Sequence, residues 1–522
     1  MAPGTNSMRT CAVPAFSAAA TLVIALLGIS GPSFWLDEAA TISMTGRSLP
    51  DLERAVHRLD LVHFAYYLIM KPWVALFGDG ELALRLPSAV AMAAGAAGVV
   101  ALGRRVGSDM TGLVAGICYA TSVTVTRYAQ EARPFAMVTA TAVLATYLLV
   151  RALQATEETG TQETGTQETG TQETGTQETR DRQQVWLTGY AVVLVFVGLF
   201  NIFGLLLVAA HAITLLWTRV EPRLLRRWLV ATAAALVVLA PFVIVSQTQK
   251  AQVASLQKPT TAMTWSLVRF LAGGERLILV LTALLVIGMI ASRLQPPRTP
   301  RVPGLSALAV PWLFFPPVFL LSVSFIQPMF RTRYVLMCVP ALVLLVAAGL
   351  VALGQLWRPL TAVALVAVLA LTVPGQLEIR KQDERIDDLR AAADIVRERA
   401  MPGDGVLFLA RHQRWRTAAY ADAYKGLTDL MVRKSPAKAA NLDGEDVNPA
   451  VLATRLCTVD RVWLMDGGGA RQPSWVRNRE NLVQRMGLDV TLGVWRYKGG
   501  SIKLVTRSRP ADPGVCGGSP AT

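Results

Sequence analysis

Apolar stretches of roughly 17 to 25 residues, long enough to cross the hydrocarbon core of a bilayer as helices, recur along most of this chain. They fall near 12–31, 87–103, 110–126, 134–152, 185–200, 202–218, 228–246, 277–292, 305–325, 334–352 and 359–374, which predicts about eleven spans. Of the 522 residues, 52% are hydrophobic and 17% charged. That is more apolar sequence than a water-soluble protein of this length would place in its core, so the expected fold class is an α-helical polytopic membrane protein.

The formal net charge of +15 does not point to nucleic acid. The basic residues gather in alternate short loops: Arg104 and Arg105, Arg151 with Arg180 and Arg182, Arg219 to Arg227, Arg293 to Arg301, and Arg358. This is the positive-inside pattern, and it puts the N-terminus inside and the segment after Pro374 outside. Arg9 precedes the first run, but no small-residue cleavage site precedes Asp37, so the run reads as a retained first helix.

Residues 1–376 thus form an expected transmembrane domain and residues 377–522 an expected extracytoplasmic α/β domain. In the latter, Ile386, Leu389, Ala393 and Val396 recur at helical spacing, and Val406 to Leu409 and Arg461 to Met465 read as strands. Trp475 to Met486 reads as a helix, and Val490 to Val505 as a hairpin around Lys498-Gly499-Gly500. Gly467-Gly468-Gly469 is a lone glycine run and reads as a loop. Residues 156–180 repeat Thr-Gln-Glu-Thr-Gly with no apolar side chain, so a disordered cytoplasmic segment is expected. The first outer loop, 38–86, is amphipathic: Leu52, Val56, Leu59 and His63 share a helical face, and Phe64 to Phe77 is aromatic-rich with Lys71 and Trp73. A second outer loop runs from Gln247 to about Arg276 with Lys250, Lys258, Trp265 and Arg269. Cys11, Cys118 and Cys338 lie in or at apolar runs and read as packing residues. Cys457 and Cys516 share the C-terminal segment and form a disulfide if it faces an oxidising compartment and the two meet, which sequence alone does not establish.

Where the first run meets water stands Ser33-Phe34-Trp35-Leu36-Asp37-Glu38-Ala39-Ala40-Thr41. Two adjacent carboxylates at a membrane face are expected to pair, bind a metal or handle protons. The alternative is that they only open a helix, where the dipole favours negative charge.

Trp35-Leu36-Asp37-Glu38 after a first span resembles the acidic motif of the GT-C membrane glycosyltransferases. The likeness is to the family-39-like group that includes protein O-mannosyltransferases, the lipid A aminoarabinose transferase and actinobacterial envelope mannosyltransferases. Leu61 to Leu68, Glu81 to Ser88, Arg127 to Phe135 and Arg333 to Leu336 recur in the family's order. Where family members carry a His-Pro-Pro-Leu-Tyr-Tyr-like stretch, this chain has His63-Phe64-Ala65-Tyr66-Tyr67.

The resemblance implies a GT-C fold and transfer of a sugar from a polyprenyl phosphate to an acceptor hydroxyl at the extracytoplasmic face. An attacking alcohol has to lose its proton, and Asp37 is the implied base, with Glu38 and Glu131 as further catalytic carboxylates. The leaving group is a phosphate, which calls for cations rather than an acid. Arg331, Arg333 and Tyr334, with Arg127 and Arg133, are the implied donor-phosphate contacts. His63, Tyr66, Lys71, Arg85, Tyr128 and Gln130 are implied substrate contacts. Inversion at a β-linked phosphosugar would give an α-glycoside. No ordered ligand cluster identifies a metal, and dependence on a divalent cation stays open. The implied partners are the bilayer, the polyprenyl-phosphate sugar, and a cell-envelope glycan, a lipoglycan such as lipoarabinomannan, or a protein. Mannose transfer to an envelope glycan or lipoglycan is the implied reaction, with protein O-mannosylation and arabinose transfer as alternatives. A lipid or glycan flippase would instead place paired charges near mid-bilayer and show internal repeats.

Overall fold

The computed structural model describes residues 4–155, 172–249, 257–295, 302–467, 474–510 and Cys516. Among these, eight helices are long and apolar enough to cross a membrane: Glu81–Val106, Phe135–Gln154, Arg180–Phe200, Pro222–Gln247, Glu275–Leu294, Leu305–Ser324, Thr332–Leu356 and Arg358–Glu378. The remaining three expected spans are shorter or broken. Ala12–Leu26 and Ile202–Trp217 are short apolar helices. The 110–126 run divides into Asp109–Thr121 and Val123–Ala129. Ser122, with φ −61° and ψ 124°, leaves the helical region, and its hydroxyl accepts from the Val125 N–H to start the second piece. Asn201 makes a similar break, its Oδ1 accepting the Phe203 N–H at 2.9 Å.

Polarity is inverted relative to a water-soluble protein. Helices Pro222–Gln247 and Arg358–Glu378 are strongly apolar yet only 17% and 11% buried in their apolar windows, whereas Thr332–Leu356 is 83% buried. Leu279 is 84% exposed and Val237 72%. Only an apolar surrounding accommodates such a surface. At the centre, Gly288 and Gly349 let two helices meet closely: a Cβ at Gly288 would fall 1.9 Å from the Leu345 carbonyl oxygen, and one at Gly349 2.1 Å from that of Leu284.

Two compact units are present. One holds Met1–Ile29, Leu61–Tyr66 and Leu82–Ile379, and the other Ser30–Asp60, Tyr67–Glu81 and Arg380–Thr522. Most of the first amphipathic loop therefore packs with the C-terminal segment, although the sequence alone groups it with the membrane helices.

The second unit is built on a five-stranded mixed sheet. Its seven strands are β1 (Gly405–Phe408), β2 (Thr428–Asp429), β3 (Val432–Lys434), β4 (Glu445–Asp446), β5 (Arg461–Asp466), β6 (Val490–Tyr497) and β7 (Gly500–Thr506). The large sheet runs β2-β1-β5-β7-β6, with β1 parallel to both neighbours and β7 antiparallel to both of its own. Alternation fills both faces: Leu407 and Leu464 join one core, Val406, Phe408, Trp463 and Met465 the other. Trp463 Nε1 donates to Asp404 Oδ2 at 2.8 Å, so the one polar atom of that buried ring is satisfied. Cys457 and Cys516 are disulfide-bonded with their Cα atoms 5.8 Å apart.

Some expectations shift. The amphipathic helix begins at Leu389, capped by Asp388, and Ile386 lies ahead of it and is 66% exposed. The helix Gln172–Phe200 starts within the tail of the Thr-Gln-Glu-Thr-Gly repeat, where Gln and Glu are adequate helix formers. Residues 156–171, Lys250, Gly468 and Gly469 and the Cys11 side chain lie outside the described residues, whereas Cys118 and Cys338 are buried thiols. The chain is an α-helical multi-pass membrane protein carrying a C-terminal α/β domain.

Candidate active site

In the second unit the helix Leu36–Thr45 opens on the acidic pair, Asp37 and Glu38 occupying its first turn where the macrodipole favours them. The two carboxylates differ. Glu38 is fully buried, whereas Asp37 is partly exposed. Trp35, at the N-cap, supplies no side-chain cap.

The approach to this helix is fixed almost residue by residue from the C-terminal segment. The Ser33 N–H donates to the Gln382 carbonyl at 2.9 Å, and the Arg390 N–H donates to Ser33 Oγ at 2.9 Å. The Phe34 N–H donates to Tyr420 Oη at 3.1 Å, with the two rings 5.6 Å apart. The Leu36 N–H donates to Asp387 Oδ2 at 3.3 Å. Arg390 Nη1 donates to the Gly31 carbonyl at 3.1 Å, and Nη2 to that of Ser30 at 2.8 Å. Glu81, the first residue of the helix Glu81–Val106, accepts from Arg390 and from the Tyr420 hydroxyl at 2.7 Å. Burial, helped by Glu81, pushes the Tyr420 hydroxyl up to about 12, so it stays protonated and can donate.

Lys71 also belongs to this unit, and its ammonium donates to the Thr45 carbonyl at 3.3 Å and to that of Arg47. These carbonyls close the motif helix and the turn after it, so Lys71 acts there as a C-terminal clamp.

In the membrane unit the expected residues gather around Phe135, the first residue of the helix Phe135–Gln154. The Arg333 guanidinium carbon lies 5.4 Å from the Phe135 ring centroid. Around the same ring stand Tyr334 at 6.1 Å, Tyr128 at 6.2 Å and His63 at 6.4 Å between centroids. Arg133 Nη2 lies 3.2 Å from His63 Nε2. Phe203 stacks on Tyr334 at 4.7 Å, and Phe270 meets Tyr128 edge-on at 5.7 Å. Glu131, Arg133 and His63 are buried, Tyr66 fully so, Arg127 and Arg333 are half-buried, and Arg331 is exposed.

Like Lys71, two more of the expected substrate contacts donate to backbone carbonyls. Arg85 is fully buried and its Nη1 donates to the Ile29 carbonyl at 2.7 Å. Gln130 Nε2 donates to the carbonyls of Ala25 and Leu27 at 2.8 and 3.0 Å, closing the last turn of the first helix and the turn beyond it. Phe135, Phe203 and Phe270 are not among the site residues expected from sequence. Only Phe135 carried a local signal, as the last residue of the Arg127 to Phe135 motif. Among the described residues no three of His, Cys, Asp or Glu converge as metal ligands.

Comparison with known proteins agrees with this architecture. Residues 64–161 match the family described as dolichyl-phosphate-mannose-protein mannosyltransferase. No curated protein matches the chain. The crystal structure of ArnT from Cupriavidus metallidurans bound to undecaprenyl phosphate superposes with a TM-score of 0.59 at 13% identity, covering 94% of this chain and 97% of that one. Its apo form gives 0.58 at 12% over the same shares. The matched family segment contains both the Glu81 to Ser88 and Arg127 to Phe135 motifs. The fold is that of the GT-C membrane glycosyltransferases, and with the family match it supports a glycosyltransferase.

Proposed function

We propose that this chain is a membrane glycosyltransferase that moves a sugar, mannose in the reading we favour, from a polyprenyl phosphate to a hydroxyl of a cell-envelope glycan or lipoglycan such as lipoarabinomannan, with Asp37 as base. The single observation that carries it is the gathering of Arg333, Tyr334 and His63 about the Phe135 ring, with Arg133 beside His63. Two guanidinium-bearing residues set among aromatic rings suit a phosphate that becomes a leaving group. The ArnT form bound to undecaprenyl phosphate supports a lipid phosphate as the carrier.

The chemistry follows from what the reaction has to move. The acceptor oxygen attacks the anomeric carbon as the carbon–oxygen bond to phosphate breaks. The acceptor proton passes to the Asp37 carboxylate, and the polyprenyl phosphate departs as an anion held by Arg331 and Arg333. Inversion of a β-linked donor gives an α-glycoside. Asp37 rather than Glu38 takes the base role because only Asp37 retains exposure through which an acceptor hydroxyl can arrive. The reaction belongs at the extracytoplasmic face, in keeping with the basic loops on the opposite side. A protein acceptor is the second reading, favoured by the description of the matched family.

The test is transfer by purified protein from radiolabelled polyprenyl-phosphate mannose to an envelope-glycan acceptor. Asp37→Asn should keep the helix N-terminus and donor binding but lower kcat by about 10²- to 10⁴-fold, the usual contribution of a positioned base. Near-normal turnover by this variant would refute the base assignment, because Asn replaces Asp well at a helix start.

A further inference from the structure

The C-terminal segment has no role in the reaction as stated so far, yet it supplies a run of hydrogen bonds to the entry of the acidic helix, through Gln382, Asp387, Arg390 and Tyr420. One of these, from Asp387, reaches the backbone of the helix itself. Its Oδ2 accepts from Leu36, the first residue of the helix Leu36–Thr45, at 3.3 Å. Helices leave their first N–H groups unsatisfied and usually take a cap from the residue just before them. Here Trp35 makes no side-chain cap, and the acceptor arrives from 351 residues away.

Asp387 is itself over-determined. It is buried, and its Oδ1 lies 3.6 Å from Arg416 Nη2. Arg416 Nη1 donates to the Gly499 carbonyl at 2.7 Å. Gly499 has φ +103°, and a Cβ there would fall 2.3 Å from Asp387 Oδ1, so this hairpin turn needs glycine both for its backbone and for the seat of the carboxylate. Next door, Asp388 caps its own helix through the Ala391 N–H at 3.0 Å, and the Asp388 N–H donates to the Lys498 carbonyl at 2.7 Å. Two adjacent aspartates thus start two helices, one local and one distant. Burial raises the Asp387 carboxyl, opposed by Arg416 and by the Leu36 N–H. An oxygen acceptor remains for Leu36 in either protonation state.

We propose that Asp387 is the positioning residue of the acidic motif: it caps the motif helix from the C-terminal domain and so sets the place of the Asp37 carboxylate one residue along. The step to turnover rests on the reading of Asp37 as base. The role assigned to the C-terminal domain is to hold the reacting helix, independent of any ligand it binds.

The experiment combines hydrogen exchange with kinetics on the full chain in lipid nanodiscs. In the wild type the Leu36 amide should be protected. Asp387→Ala should raise exchange in residues 36 to 39 roughly tenfold, the scale of losing a helix cap. It should lower kcat for transfer from radiolabelled polyprenyl-phosphate mannose by a similar factor while leaving the donor KM unchanged. Asp387→Asn keeps an oxygen for Leu36 and should recover most of both losses. A Leu36 amide that exchanges freely in the wild type overturns the proposal whatever the variants do. So does Asp387→Ala with unaltered exchange, or with Asn as damaging as Ala. If Asp37→Asn turns over normally while Asp387→Ala loosens the helix, the base reading fails and the cap stands. If Asp37→Asn is inactive and Asp387→Ala behaves as wild type, only the positioning role fails.

Discussion

In the membrane unit the Arg333 guanidinium lies over the Phe135 ring, whereas in the other unit several arginines are tied to oxygen: Arg390 on Glu81 and two carbonyls, Arg416 beside Asp387, and Arg414 on Asp429 and Asp446 as well as over the Phe408 ring. The difference is instructive. A carboxylate or carbonyl engages N–H donors directly and fixes geometry, which suits a scaffold. A ring face holds a guanidinium through its plane, a contact that does not itself use an N–H donor, which suits a residue proposed to meet a phosphate. On the proposed reading Arg333 serves a ligand, whereas Arg390, Arg414 and Arg416 fasten chain segments, as Arg85 does within the membrane unit.

The largest effect expected from breaking this contrast is at the ring-seated cation. Arg333→Ala should reduce kcat/KM for transfer by about 10²- to 10³-fold and weaken binding of the polyprenyl-phosphate sugar, since it removes both a phosphate partner and stabilisation of the leaving anion. Measured donor affinity equal to wild type would assign Arg333 to the fastening class instead. Next in size is the disulfide. Cys457→Ser opens a link spanning 59 residues and should lower the stability of the second unit by about 3 kcal/mol. The check is faster proteolysis and exchange in residues 405 to 505 with the membrane helices unaffected, and loosening of both units alike would contradict their separateness. The smallest effect is expected at the ring. Phe135→Leu keeps apolar volume but loses the π face, worth about 1 kcal/mol, so transfer should fall roughly fivefold with the fold intact. An unchanged rate would show that the ring does not matter to Arg333.

Much of the fold was legible because hydropathy windows report span length directly, and because Val462-Trp463-Leu464 and the Lys498-Gly499-Gly500 turn carry strong strand and hairpin signals. The break at Ser122 was not, since serine is common inside apolar helices and only its backbone angles mark the interruption. Strands β2 and β4, two residues each, are too short to show a period. At the site, Asp37, His63, Arg133 and Arg333 stood out through motif order. Arg85 and Lys71 were weaker candidates as cations, and charge alone does not reveal that each donates to a backbone carbonyl. Asp387 was beyond local reasoning altogether. In sequence it reads as one more acid ahead of a helix, and its partner lies at the other end of the chain.

The three-segment make-up of the second unit bears on how the chain is made. The segment carrying the acidic motif ends at Asp60, and its companion begins only at Arg380, about 300 residues later. At ribosomal speeds of roughly 5–20 residues per second, the early segment waits on the order of 15 to 60 seconds for the strands that complete its unit. Through that interval the Leu36 amide and the buried Glu38 have no C-terminal fold to enclose them, so assembly around the acidic helix is a late, long-range event. Ribosome-stalled chains ending before residue 380 should therefore expose residues 30 to 60 to protease, and full-length chains should protect them.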